Sequence, residues 1–215
     1  MKRIAIAVLC LFLLSTFTFA ADKPKADAKA TTAAHRDKKF LLNYLQQTRK
    51  DFLKSISGLS EAQWNYKASP ERWSIAECAE HITLAENFIR DAYEKTMKEP
   101  AASDEQKAKA NIPDEKLIAM LTDRSKKFKA PEPIQPKTHE WTTAKAIKAE
   151  FNKRRDTTVK AAKSTSDADL RAHVADSPLG APLDGYQFLE LIAAHSNRHT
   201  LQIEEVKADP GYPKK

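Results

Sequence analysis

The chain has 215 residues and a formal net charge of +7, a length that suits one domain with a core of its own. Only 4 glycines stand against 11 prolines, and the sequence contains neither G-x-G-x-x-G nor G-x-x-x-x-G-K-[ST], which excludes the common glycine-rich nucleotide sites. The low glycine content also favours helices.

Residues 1–20 are typical of a secretory signal peptide. Lys2 and Arg3 precede an almost unbroken apolar run, and small residues at Thr18 and Ala20 predict cleavage after Ala20. The apolar run is about sixteen residues, whereas a membrane span needs roughly twenty, so an uncleaved anchor is the weaker alternative. We therefore expect a periplasmic or secreted protein with no stable membrane span after signal removal.

The next segment, residues 21–35, is predicted to be a disordered leader because it lacks large apolar side chains. Signal removal takes away Cys10 and leaves Cys78 as the only cysteine, which cannot form an internal disulfide and is expected to be buried. The positive charges are mixed with acids along predicted helix faces, and aromatics are few. No nucleic-acid partner is expected.

Apolar residues at intervals of three and four predict a first long helix that starts near Arg36 and ends at Gly58. Ser74 and Glu77 form a capping box at the start of a second long helix, which continues to about Met97. The stretch that follows is predicted to hold a short helix at 114–128. It then contains an extended proline-rich strip at 131–136 that should not be helical.

A third long helix is predicted over 143–163, followed by a loop over 164–182. Asp184 caps a fourth long helix over 185–207. No alternating strand pattern occurs. Residues 36–208 are thus predicted to form an all-α four-helix bundle with a long crossover between the second and third long helices, and 209–215 a tail.

Two histidines in the predicted fourth long helix are candidate metal ligands. His195 and His199 fall in the middle of an apolar stripe and are spaced i and i+4, so their rings can converge on one metal ion. The stripe comprises Phe188, Ile192, Ile203 and Val206. The alternative is a pair of ordinary buried histidines, each satisfied by a hydrogen bond, because H-x-x-x-H alone is a permissive pattern.

His81 is a candidate third ligand, since it lies at the edge of the inward face of the second long helix. Three histidines with an open fourth position are typical of reactive rather than structural metal sites. His35, His139 and His173 fall in the leader and in connectors and are interpreted as surface residues.

Other metal chemistries of helical proteins fit less well. A ferritin-like di-iron site needs Glu-x-x-His on two helices, but Cys78, Ile192 and Ser196 precede the three histidines at that spacing. Ser196 also rules out the H-E-x-x-H pattern of metalloproteases. Cys78 could add a thiolate ligand, although a small buried hydrophobe is the simpler interpretation.

These residues resemble the DinB-like superfamily. Trp73-Ser74-Ile75-Ala76-Glu77, with His81 four residues later, and His195-x-x-x-His199-x-x-Gln202-Ile203 occur in that family's order across residues 36–208. The resemblance implies a four-helix bundle in which His81, His195 and His199 hold a divalent metal. Asn197 and Gln202 adjoin the motif without an assigned role.

The resemblance implies less about activity. Some members are metal-dependent transferases or isomerases that use low-molecular-weight thiols, and many others have no known activity. The predicted export departs from the thiol users, which are cytoplasmic, because reduced thiols are scarcer outside the cytosol. Zinc is the first expectation for the metal, with nickel, iron or manganese possible, because imidazole ligands suit all of them.

Three hypotheses therefore remain. The chain is an exported metal-dependent hydrolase or thiol-dependent transferase, a non-catalytic metal- or small-ligand-binding protein, or a bundle without metal. Glu77 and Glu190 lie near the candidate ligands, but each is equally a helix cap or a solvated residue. The small-molecule partner is unknown, and a homodimer is possible.

Overall fold

The structure is a computed structural model that describes residues 35–137 and 140–214. The predicted signal peptide, the leader up to residue 34 and the interpretation of His139 lie outside the described residues. None of the described helices combines the length and the apolar character that crossing a membrane requires.

Four long helices form the body of the described chain, as predicted. They are α1 (Lys38–Ser55), α3 (Ile75–Thr96), α6 (Ala144–Ser164) and α8 (Gly185–Lys207). The start of α3 is the predicted capping box: Glu77 N donates to Ser74 Oγ at 3.1 Å, and Ser74 N donates to Glu77 Oε2 at 2.7 Å. Asp184 caps α8 in the same way through Gln187.

Shorter elements connect these helices. They are α2 (Glu61–Asn65), α4 (Asp104–Lys109), α5 (Asp114–Thr122), α7 (Asp167–Ala172), β1 (Val174–Asp176) and β2 (Pro182–Asp184). The two strands form an antiparallel pair in which Ala175 lies opposite Leu183. The prediction of a plain loop over 164–182 was therefore wrong, because elements of three to six residues are too short for periodicity to show.

The crossover differs from prediction in two places. The short helix ends at Thr122 rather than at Phe128, because the Asp123 carboxylate accepts from Ser125 N at 2.9 Å and turns the chain. The proline-rich strip contains a 3₁₀ turn over Glu132–Ile134. Prolines are tolerated there because the first residues of a helical turn have N–H groups that need no partner within it.

Helix α8 is the central element of the bundle. It packs against α3, α1 and α5, while α6 packs against α3 and α1. Every residue of its first half, from 185 to 194, is buried. Two apolar clusters fill the interior, one containing Leu45 and Ile192 and the other containing Phe52 and Ile203. The fold therefore buries the helix that carries two of the three candidate ligands.

Candidate metal centre

His81 enters the interior from the second turn of α3 and is 2% exposed. Its Nδ1 lies 2.6 Å from the carbonyl oxygen of Ile134, in the 3₁₀ turn of the crossover. A carbonyl only accepts hydrogen bonds, so Nδ1 carries the proton and Nε2 keeps its lone pair. The proline-rich strip thus orients a side chain that is 53 positions away in sequence.

His195 and His199 lie one turn apart on α8 and face His81. The Nε2 atom of His81 is 3.1 Å from the Nε2 atoms of both. The ligand atoms of the three residues all lie within 4.8 Å of one another. The structure therefore brings together the three histidines that the sequence singled out.

Gln202 orients the third ring. His199 Nδ1 lies 2.8 Å from Gln202 Oε1, so Nδ1 donates and Nε2 again keeps its lone pair. The signal in the sequence was the i, i+3 spacing, which places Gln202 on the same face of α8. Asn197 points elsewhere and donates to the Tyr44 hydroxyl at 3.3 Å.

The electrostatics of the cluster favour neutral imidazoles. Burial lowers the pKa of His81 to about 4. Burial, together with the neighbouring rings, holds the pKa of His195 and His199 well below the ordinary value. Neutral imidazole is the form that binds metal, so no proton has to leave at neutral pH.

These residues fit a divalent metal. The Nε2–Nε2 separations of 3.1 Å compare with about 3.3 Å along the edge of a tetrahedron whose metal–nitrogen distances are about 2.0–2.1 Å. The Nε2 lone pairs of His81 and His199 face one another and repel, and a shared cation would satisfy both. The donor set therefore fits a three-histidine metal site.

Trp73 covers the cluster on one side. Its ring centroid lies 4.8 Å from that of His81 and 5.9 Å from that of His199. A cleft of about 910 Å³, lined by Trp73 and the three histidines, opens between α3, α8 and the crossover. This volume falls in the range of small-molecule sites.

Cys78 is not part of the cluster. It is fully buried, and burial raises the pKa of its thiol, which disfavours the thiolate that metal binding needs. The interpretation of Cys78 as a small buried hydrophobe agrees with this environment. His35 and His173 also lie elsewhere: the first is exposed near Asp114, and the second is half-buried with Nδ1 at 2.8 Å from Glu99 O.

The two carboxylates near the ligands have different environments. Glu77 is the cap of α3 and pairs with Lys67 at 2.9 Å, as one of its two interpretations had it. Glu190 is neither cap nor solvated, because it is fully buried and both carboxyl oxygens lack a hydrogen-bond partner among the described residues. Burial raises the pKa of Glu190 to about 9. Periodicity could have placed it inside α8 but could not show that it had no partner.

Comparisons with known proteins give a consistent assignment. The protein YuaE of Bacillus subtilis (strain 168), which is uncharacterized, is 25% identical over 166 residues, covering 77% of this chain and 96% of its own length. The structure of YfiT from Bacillus subtilis, described as a probable metal-dependent hydrolase with an unusual four-helix bundle topology, superposes with a TM-score of 0.54 at 13% identity. That match covers 84% of this chain and 95% of YfiT, and it supports the bundle fold. The model of the DinB superfamily matches residues 44–203. The chain therefore belongs to the DinB superfamily.

Proposed function

We propose that this protein is an exported metal-dependent hydrolase that binds one divalent ion, zinc first, through His81, His195 and His199. The observation that supports it most is the convergence of three Nε2 atoms, with His81 Nε2 at 3.1 Å from each of the others. The donor set accepts nickel, iron and manganese as well. Export is proposed from residues 1–20 alone.

A divalent metal on three imidazoles with an open position would lower the pKa of a water or thiol bound to it. The chain's own residues prepare this site. Ile134 O and Gln202 Oε1 hold the ring protons of His81 and His199 on Nδ1, which aims both Nε2 lone pairs inward. Trp73 packs against both rings and lines the same cleft.

Hydrolysis is favoured over thiol transfer for two reasons. The bundle of YfiT, which is described as a probable metal-dependent hydrolase, supports it by analogy. An exported protein also meets few reduced thiols, whereas water is always present. Transfer to or from a low-molecular-weight thiol is the second activity to examine.

A non-catalytic binding protein is the alternative. Glu77 and Glu205 line the cleft, but each is engaged in an ion pair, with Lys67 and Arg124 respectively. Glu71 also lines the cleft and forms no ion pair with a described residue, but it is exposed to solvent and hydrogen-bonded with Ser69. The described part of the cleft therefore holds no carboxylate that is both unpaired and buried, as a general base with a raised pKa would be. Such a protein would bind metal and ligand without turnover.

Turnover separates these functions. The chain without residues 1–20 is loaded with zinc and assayed on ester, amide and phosphate substrates, and on an electrophile with added thiol. We expect hydrolysis above that of an equal concentration of free zinc, lost in His195→Ala and retained in His173→Ala, a half-buried histidine outside the cluster. A fully loaded site without turnover on any substrate contradicts the enzyme and favours the binding protein.

A further inference from the structure

The wall of the cleft beside the histidines contains a buried cation. Arg198 is 5% exposed and lies next to His199 on α8. Its Nη1 donates to the carbonyl oxygens of Leu121 at 2.9 Å and Asp123 at 2.6 Å, and its Nη2 donates to that of Lys126. No carboxylate of the described residues forms an ion pair with Arg198. Its hydrogen-bond acceptors are backbone carbonyls, and the carboxylates of Asp123 and Glu205 attract it only at longer range.

The mouth of the cleft adds further positive charge. Lys127 and Lys129 line it, are exposed, and form no ion pair with any described residue. Phe128, between them, is 58% exposed, and the Arg198 guanidinium lies 5.0 Å from its ring centroid. Arg124 differs, because its Nε and Nη2 already bind both carboxylate oxygens of Glu205.

The inner wall of the cleft is apolar. Phe88 and Ile89 of α3, Met120 of α5, and Leu179 and Leu191 line it. A volume of about 910 Å³ is ample for a small organic molecule. A ligand that fills this space contacts apolar side chains on one side and positively charged side chains on the other.

We propose that the cleft binds a small organic anion with an apolar body and one carboxylate or phosphate head group. The head group lies among Arg198, Lys127 and Lys129, and the body packs against the wall of Phe88 and Met120. A neutral ligand would bring no charge complementary to Arg198, Lys127 and Lys129, and a cationic ligand would be repelled. This inference rests on the proposed function, because it names the ligand class of the same cleft.

Binding of matched eight-carbon ligands tests the head group. Isothermal titration calorimetry is run on the chain without residues 1–20, with octanoate, octyl phosphate, 1-octanol and octylammonium. We expect both anions to bind at least tenfold more tightly than the alcohol and the amine. Equal affinity for octanoate and 1-octanol would overturn the proposal, as would the absence of binding by both anions.

Charge-removing variants test where the head group lies. Lys127→Ala combined with Lys129→Ala should weaken octanoate about tenfold and leave 1-octanol unchanged, since each charge contributes modestly at an exposed site. Lys153→Ala with Lys160→Ala removes the same charge from exposed positions on α6 and should change neither. The lysines are substituted rather than Arg198 because Arg198 also donates hydrogen bonds to three backbone carbonyls, and its loss would disturb the local structure. Octanoate affinity unaffected by the Lys127 and Lys129 changes would contradict the placement.

Metal content, measured on the same samples, separates this proposal from the metal site. A loaded chain that does not distinguish octanoate from 1-octanol overturns the ligand class and leaves the proposed metal site standing. A metal-free chain that prefers the anion, with the preference lost in the Lys127 and Lys129 variant, supports the ligand class and contradicts the proposed function.

Discussion

Two clusters of buried polar side chains lie within the same bundle and solve the problem of burial in opposite ways. Around Arg155, all five N–H donors have acceptors: both oxygens of Glu86, the carbonyl of Leu45, and the hydroxyls of Thr48 and Ser196, at 2.7–2.9 Å. In the three-histidine cluster, the Nε2 lone pairs of His81 and His199 face one another instead. The first cluster is complete by itself, and the second is complementary to a cation.

The position of the Arg155 cluster explains its role. Arg155 on α6 and Glu86 on α3 lie between residues of the two apolar clusters, as do Thr48 on α1 and Ser196 on α8. A fully bonded ion pair at this level fixes how the four long helices align, because a shift of one helix would leave a buried charge unpaired. The Arg155 cluster is therefore structural, whereas the histidine cluster provides donors that fit a metal ion.

The largest expected effect comes from breaking the complete cluster. Arg155→Met leaves the Glu86 carboxylate buried without its partner, so we expect a loss of about 3–5 kcal/mol in the free energy of unfolding, measured by urea denaturation. Arg49→Met, which removes the ion pair with Asp156 near the surface, should cost only about 0–1 kcal/mol. Similar losses in the two variants would contradict a structural role for Arg155.

Glu190 is a third case of a buried polar side chain. Its carboxyl oxygens have no hydrogen-bond partner among the described residues, unlike Arg155, and it lies outside the histidine cluster. Its raised pKa of about 9 means that the folded chain keeps a proton that the unfolded chain releases above the ordinary glutamate pKa of 4.5. Folding stability should therefore fall as the pH rises from 5 to 8. In Glu190→Gln this fall disappears, which amounts to a difference on the order of 3 kcal/mol between those pH values.

The control for this pH profile is Glu205→Gln. Its hydrogen bonds with Arg124 lower the pKa of Glu205, so its titration lies below this window and the difference from the wild type should stay constant between pH 5 and 8. Unfolding by urea at several pH values measures both variants. Parallel profiles for the wild type and Glu190→Gln would show that Glu190 is ionised in the folded chain.

Metal removal tests the second cluster through stability. If free metal is at about 100 times the dissociation constant, a chelator should remove about 2.7 kcal/mol of stability and lower Tm by about 5–10 °C. His199→Ala should melt at the same temperature with and without chelator, and His173→Ala should respond like the wild type. An unchanged Tm in a reconstituted wild type would favour the bundle without metal.

The smallest effect concerns the residue that orients His199. Gln202→Leu removes the acceptor of the Nδ1 proton and should weaken metal binding about 10- to 100-fold, measured by competition with a chromophoric chelator. Gln202→Glu keeps an acceptor and should retain most of the affinity. Asn197→Leu, which loses only the contact with Tyr44, should bind metal like the wild type. Equal affinity in Gln202→Leu would contradict the orienting role.

The long helices were predictable because their signals are local and repeated. Apolar periodicity and the capping residues Ser74 and Asp184 located them, and α8 begins and ends at the predicted residues. The short elements were missed because α2 and α4 are five and six residues long, with too few turns to show a face. A helix start can be read locally, whereas a brief helical turn depends on tertiary contacts.

The sequence predicted which histidines come together but not all of the residues that orient them. Spacing within α8 placed His195 and His199 together, the inward face of the second long helix added His81 as a candidate, and the resemblance to the family implied the same three residues. The acceptor for His81 comes from Ile134, 53 residues away, and no local pattern could indicate it. Arg155 also escaped, although it lies one turn from Phe151 on the inward face of α6, because charged residues along the helices were interpreted as solvated.

The most direct test of the account is the metal content of the chain without residues 1–20 and without a histidine tag, measured by elemental mass spectrometry. The account predicts about one divalent ion per wild-type chain, and none in His81→Ala, His195→Ala or His199→Ala variants that still show a helical circular dichroism spectrum. A folded wild type that holds no metal after reconstitution with zinc, nickel and manganese would contradict it, and the three histidines would then be polar groups of the core.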